Sequence, residues 1–167
     1  SGIMVVPRHR SALSNLARQF QERLIKKTYV ARVAGRVKED RGVIDLPLTA
    51  DWPNRPKQKV CQLTGKSALT RWQVLSRTEQ SSLLELTPVT GRSHQLRIHM
   101  NEIGHPILGC DFYAPDAALQ AAPRLLLHAT RLRFKHPRSG HYLSGYSPAP
   151  STFATDARGG PITVPTP

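Results

Sequence analysis

Between Leu83 and Pro106 the chain changes character three times in a fixed order, and that order constrains the fold more than any other stretch. Leu83 to Thr87 is a leucine-rich, strand-like run, and Thr90-Gly91-Arg92-Ser93 is a polar turn. His94 to Ile103 then places Leu96, Met100 and Ile103 on one helical stripe, with Gly104 and Pro106 as a stop. A sheet must therefore deliver a short helix through a polar loop, a junction that commonly carries binding or catalytic groups. Ala68 to Ser76 and Ser82 to Thr87 read as paired strands, Tyr29 to Val33 as a β-rich run ended by Gly35, and Val43 to Leu48 as another short strand. Arg124 to Lys135 alternates, with Arg131, Arg133 and Lys135 on one face and Leu132 and Phe134 on the other, before a turn at His136 to Gly140.

The clearest helix is Ser11 to Ile25, where Leu13, Leu16, Ala17, Phe20 and Leu24 recur at three- and four-residue intervals and are expected in the core. Strands outnumber helices and do not alternate with them regularly. The expected class is therefore α+β, a mixed, largely antiparallel sheet with flanking helices, rather than a doubly wound parallel sheet. Residues 1–150 are expected to form one domain. The tail 151–167, with Gly159-Gly160 and three late prolines, is expected to be loose.

Charge narrows the partners: 24 Lys and Arg against 11 Asp and Glu give a net +13. Ten basic and three acidic residues fall between Ser1 and Arg41, so the charge is spread through the folded region instead of sitting in a tail. A polyanion, nucleic acid above all, is the natural partner, and binding should weaken as salt rises. No apolar run approaches the ~18 residues of a membrane span, so no membrane association is expected. Cys61 and Cys110 form no Cys-x-x-Cys pair, which favours a reducing, cytoplasmic setting.

Within the helix, Arg97 lies away from the apolar stripe and shares a face with His94. A guanidinium set near a core needs an anionic partner, and a carboxylate is the usual one; an ordinary surface ion pair accounts for the pattern equally well. His94 and His99, five residues apart, point in different directions, and no carboxylate or cysteine completes a metal set. His128, in Leu126-Leu127-His128-Ala129, reads as a satisfied core histidine, and His105 and His136, each before a proline, as turn residues. From Ala50 to Lys66 periodicity vanishes and a long functional loop is expected. There Trp52 offers a stacking surface and Arg55, Lys57 and Lys59 offer phosphate contacts, a pairing suited to unstacked RNA; a solvated charge run has the same composition. Tyr29 stays open between a core aromatic and a phenol that stacks on a base.

Several motifs in order carry a more specific signal. Thr90 to His99, then Gly104-His105-Pro106-Ile107-Leu108-Gly109, then Leu127-His128-Ala129 with His136-Pro137, resemble the RluA-type pseudouridine synthases, and Lys27-Thr28-Tyr29-Val30-Ala31 resembles their tyrosine motif. The register runs from Ser1 to about Pro150, and Asp51 to Cys61 resembles the loop of the branch that modifies both large-subunit ribosomal RNA and a tRNA anticodon stem-loop. The resemblance implies an isomerase that cleaves the uridine glycosidic bond, rotates the base and rejoins it through carbon 5. It implies no cofactor and no metal, and a target uridine extruded from its loop; a monomer is expected. It makes Tyr29 the active-site tyrosine and Arg97 the partner of the catalytic aspartate, with Arg92 and His94 shaping the pocket.

One departure follows. In the family that aspartate stands in a His-Arg-Leu-Asp segment whose following residues end in Ser-Gly, which Ser1-Gly2 fits. The expectation is that the chain starts just after its nucleophile and does not turn over as written. Arg97 would then lack its carboxylate and the early strand its neighbours, lowering stability. Asp40, Asp45, Asp51, Asp111, Asp116 and Asp156 stand in other contexts, and Cys110 replaces an aspartate common in relatives. A non-catalytic RNA-binding or ribosome-assembly module is the competing reading; a metal-dependent nuclease lacks the clustered carboxylates it would need.

Overall fold

In the computed structural model, which describes residues 1–153, the elements are α1 (Arg10–Gln21), β1 (Lys26–Ala34), β2 (Arg41–Asp45), β3 (Leu48–Ala50), β4 (Gln58–Val60), β5 (Leu69–Arg77), β6 (Ser81–Pro88), α2 (Gln95–Glu102), α3 (Asp116–Gln120), β7 (Leu127–Lys135) and β8 (Tyr142–Tyr146). Six strands form one sheet in the order β2-β5-β6-β1-β7-β8, and β3 pairs with β4 separately. Every strand pair is antiparallel. Among the described residues the one parallel pairing is a bridge from Gly2 to Ala129. The α+β class with a mixed, largely antiparallel sheet is thus the observed one. Gly2 has φ +110°, and a Cβ there would overlap the Ala129 backbone, so only glycine lets the first residues run this close to β7.

Alternation along β1 and β6 builds two cores, one on each face of the sheet. Ala31, Val33, Leu84 and Leu86 join Trp72, Leu96, Met100 and Ile107 under α2. Val30 and Leu83, on the reverse face, pack with Leu108, Ala118, Leu126 and Phe153. Phe153 is fully buried, so the tail expected to be loose from Ser151 is anchored at its start by a short 3-10 turn, Ser151–Phe153. The remainder of that expectation lies outside the described residues.

Other departures have local causes. The first helix ends at Gln21, short of the expected Ile25, because Arg23 takes a left-handed φ of 60° and Leu24 donates back to the Gln19 carbonyl at 2.9 Å. Its expected core stripe is also corrected: Leu16 is buried, but Leu13, Ala17, Phe20 and Leu24 are exposed. The helix docks through the amide of buried Gln19, which donates to the Lys135 carbonyl at 2.8 Å and accepts from the Lys135 N–H at 2.9 Å, turning Leu13 and Phe20 outward. The strand expected at Val43 to Leu48 breaks at Pro47, which cannot donate to a ladder, and resumes as β3. The stretch read as a loop from Ala50 to Lys66 contains a 3-10 turn, Trp52–Asn54, and β4, so that a two-stranded hairpin carries its tip.

Candidate active site

Lys27 and Tyr29 share one face of β1 by strand alternation. With Pro88, Thr90, Gly91, Arg92, Leu127 and the first turn of α2 (His94, Gln95, Leu96, Arg97), they line a cavity of about 260 Å³, below the size of most drug-binding sites and on the scale of one nucleoside. Four residues expected from sequence, Tyr29, Arg92, His94 and Arg97, therefore meet at one place. None of the residues lining the cavity is acidic. Burial pushes the Tyr29 phenol up from its ordinary value, so it is un-ionised at neutral pH, and burial pushes the Lys27 ammonium down.

Gln95 holds this corner together. Its carbonyl oxygen accepts from the Thr90 hydroxyl at 2.7 Å and the Arg92 N–H at 3.0 Å, while its amide donates to the Leu69 carbonyl at 3.0 Å and Thr70 Oγ1 at 3.1 Å. Thr70 then donates to His99 Nδ1 at 2.9 Å, and His99 Nε2 donates to the Leu46 carbonyl at 3.0 Å. Every buried polar atom of this relay has a partner, and the polar turn is tied to β5 and α2 at once. His99 is therefore a structural group. It and His94 do not converge, and no group of three or more potential metal ligands occurs among the described residues.

His99 is fully buried and neutral in this relay, and burial pushes its pKa down despite the opposing Leu46 carbonyl. An unfolded histidine takes up its proton near pH ~6.5, before the folded one does, so the stability His99 contributes is intact above that value and falls as pH drops through it. His94 shifts the same way, first through burial and then through Arg97. Melting scans from about pH 7.5 to about pH 5 should show falling stability, and H99N should flatten that slope; an unchanged slope in H99N would contradict the assignment.

Arg97 has a carboxylate partner within the chain, the ordinary ion pair that the sequence left open, and this is separate from the catalytic aspartate expected before Ser1. It forms an ion pair with Asp111, donates from Nε to Cys110 Sγ at 3.2 Å, and lies 4.8 Å from the Phe112 ring and 5.3 Å from the Tyr113 ring. Gly109, at φ +70°, sets this loop: a Cβ there would overlap the Arg124 carbonyl. The early strand is likewise not short of neighbours, since β1 is paired with β6 on one side and β7 on the other. His128 is buried between Ser1 Oγ at 3.0 Å and the Ser147 carbonyl at 3.1 Å, as a satisfied histidine should be, and His105 bonds the Ala34 carbonyl at 2.9 Å.

The structure does not bring the Trp52 group into the cavity. Trp52 is 66 % exposed on the β3–β4 hairpin, with the Arg55 guanidinium 3.8 Å from its ring centre. Lys57 lies at the base of the tip, and Lys59 is 3.4 Å from Asp51, so its charge is partly engaged. A residue that sequence reasoning missed bridges the two places. Tyr113 Oη accepts from the Gln58 N–H at 3.0 Å, which leaves its own proton for His94 Nδ1 at 2.7 Å. His94 is neutral and sits at the start of α2 with a left-handed φ of 54°.

A sheet whose central strand presents a tyrosine to an arginine-lined, helix-capped cavity, on a basic chain, is the arrangement of a domain suited to binding a polyanion such as nucleic acid. The comparisons sharpen that class. The family model described as "RNA pseudouridylate synthase" matches residues 1–102. The "Dual-specificity RNA pseudouridine synthase RluA" of Yersinia pestis is 57 % identical over 141 residues, covering 84 % of this chain and 68 % of the relative. Its Vibrio cholerae namesake is 52 % identical over 143 residues, covering 86 % of this chain and 58 % of the relative. The solved structure "Human RNA Pseudouridylate Synthase Domain Containing 1" superposes with a TM-score of 0.77 at 28 % identity, over 96 % of this chain and 69 % of that one. The chain belongs to the RNA pseudouridylate synthase family, whose members are isomerases, and is of the RluA type.

Proposed function

We propose that this chain supplies the uridine pocket of an enzyme that converts uridines of large-subunit ribosomal RNA and of a tRNA anticodon stem-loop to pseudouridine. The observation that carries this is the convergence of Tyr29, Arg92, His94 and Arg97 on one nucleoside-sized cavity. In this reading the extruded uracil packs on Tyr29. Because burial holds Tyr29 as a neutral phenol, it meets the uracil in this reading as a packing surface and a hydrogen-bonding hydroxyl, and not as a phenolate base at neutral pH. The dual-specificity name of the bacterial relatives supports two classes of RNA substrate. Action as a monomer in the cytoplasm completes the proposal and suits the two free thiols, Cys61 and Cys110.

In this reading the carboxylate that the chemistry needs precedes Ser1. The Ser1 amine donates to the Leu127 carbonyl at 3.2 Å, and Leu127 lines the cavity, so a residue joined to that amine starts beside the pocket. The competing reading, a non-catalytic RNA-binding module, draws on the absence of acidic residues from the cavity lining. Pseudouridine formation on an anticodon stem-loop, measured with this chain and with the chain extended by a His-Arg-Leu-Asp segment leading into Ser1, separates them. Activity is expected only after extension. An extended protein that binds RNA without isomerising it would favour the module, and activity of the unextended chain would overturn the placement of the nucleophile.

A further inference from the structure

The side of β1 away from the pocket carries a second basic surface. Lys27 and Tyr29 line the pocket, so Lys26 and Thr28 lie on the reverse face, where they border a shallow hollow with Arg131, Arg133, Ser144 and Tyr146. Antiparallel pairing sets Arg131 opposite Tyr146, Arg133 opposite Ser144 and Lys135 opposite Tyr142. Each cation lies against an aromatic ring: Arg131 is 5.6 Å from the Tyr146 centre, and Arg133 and Lys135 are 4.4 Å and 5.4 Å from that of Tyr142. Both tyrosines remain more than half exposed, at 57 % for Tyr142 and 52 % for Tyr146. None of Lys26, Arg131, Arg133 and Lys135 has a carboxylate within ion-pair reach among the described residues.

We propose that this β7–β8 face holds a second segment of a large RNA substrate, outside the loop that enters the Tyr29 pocket. Three cations spaced two residues apart along β7 repeat every ~6.8 Å, a spacing comparable to that of neighbouring phosphates along a strand. Exposed rings beside them supply the sequence-tolerant stacking that unpaired bases use. Unpartnered positive charge calls for an anion, and cations interleaved with exposed aromatic rings fit a nucleic-acid strand better than a lipid surface, which would call for an apolar face to insert. The face is on the opposite side of the sheet from the pocket and opens at the edge strand β8. A short stem-loop seated in the pocket stays on its own side; a long RNA passes around that edge. The inference rests on the RNA-modifying reading above.

Binding measured by fluorescence anisotropy tests it, using the full chain, a short anticodon stem-loop and a long large-subunit ribosomal RNA fragment. R131Q/R133Q is expected to weaken binding of the long fragment by about tenfold and to lower the magnitude of its log affinity against log salt slope by about 1.5, as two lost phosphate contacts would. Y142A/Y146A should weaken the long fragment by about tenfold without that change in slope. Stem-loop binding should stay within about twofold for both variants, whose exposed positions leave the melting temperature as a check on folding. Variants that bind the long fragment as the unaltered chain does would overturn the inference alone, as would equal losses on both RNAs. Loss confined to binding of phosphatidylserine vesicles would assign the face to a membrane instead. An unaltered chain that binds neither RNA would remove the underlying reading as well.

Discussion

Leucine in place of Gln95 is expected to lower the melting temperature by about 10 °C, the largest stability loss for any single polar side chain near the pocket. The substitution keeps an apolar stem and much of the side-chain volume but strands four groups. The Thr90 hydroxyl and Arg92 N–H lose an acceptor, and the Leu69 carbonyl and Thr70 hydroxyl lose a donor. Gln95, Thr90 and Thr70 are all buried, so water does not readily replace what is lost. Each unsatisfied buried group costs about 1–3 kcal/mol, and with partial relaxation a total near 3 kcal/mol corresponds to the shift given. Q95E keeps the acceptor pair and loses both donations, while adding a buried charge, and should be no better tolerated. Calorimetry settles the matter: a shift of less than about 2 °C for Q95L would mean that the relay is not what ties the turn to the sheet.

In a form of the protein that isomerises the stem-loop, Arg97→Lys and Arg97→Met should each reduce pseudouridine formation by about a thousandfold, with stem-loop affinity within about threefold of the unaltered protein. The guanidinium is nearly buried, at 12 % side-chain exposure, and its planar fork satisfies Asp111, Cys110 Sγ and two ring faces at once. A lysine cannot reproduce that geometry, although it retains the charge. With five donors, the fork can hold an incoming aspartate as well as Asp111. Stability should change far less than rate, because Asp111 is 64 % exposed and stays solvated when its partner is removed. Single-turnover measurements separate binding from chemistry, and a rate loss below about tenfold would take Arg97 out of the reaction.

The parts legible in the sequence were those governed by short-range rules. Leucine periodicity found β5 and β6, the polar turn and Gly104 bracketed α2, and alternation around Arg131 located β7. The motif positions Tyr29, Arg92, His94 and Arg97 proved to be neighbours in space. What was missed depends on distant partners. The stripe of α1 looks like core until Gln19 is seen capping the end of β7, and nothing local says that Gln19 has an edge to meet. Lys27 could have been found, since it alternates with Tyr29 on the same strand face. Tyr113 could not: its role comes from Gln58 and His94, which lie 55 and 19 residues away in the chain. β8 escaped because Tyr142-Leu143-Ser144-Gly145-Tyr146 has one strong apolar residue and owes its pairing to β7. That Asp111 is the partner of Arg97 was not legible, because the ion pair depends on how the loop after Gly109 folds back.

The irregularity between Thr28 and Tyr29, where the pairing of β1 with β7 skips Thr130, works as a phase marker. Even-numbered residues before it face one surface and odd-numbered residues the other, so β1 is written in two interleaved texts: Lys27 and Tyr29 for the pocket, Lys26 and Thr28 for the reverse side. A slip of one residue would do more than weaken the strand, since it would exchange those texts and turn the tyrosine out of its cavity. The bulge gives β7 a place to absorb one extra residue while β1 keeps its count. Sequence change in this region is accordingly freer in the identity of the letters than in their number.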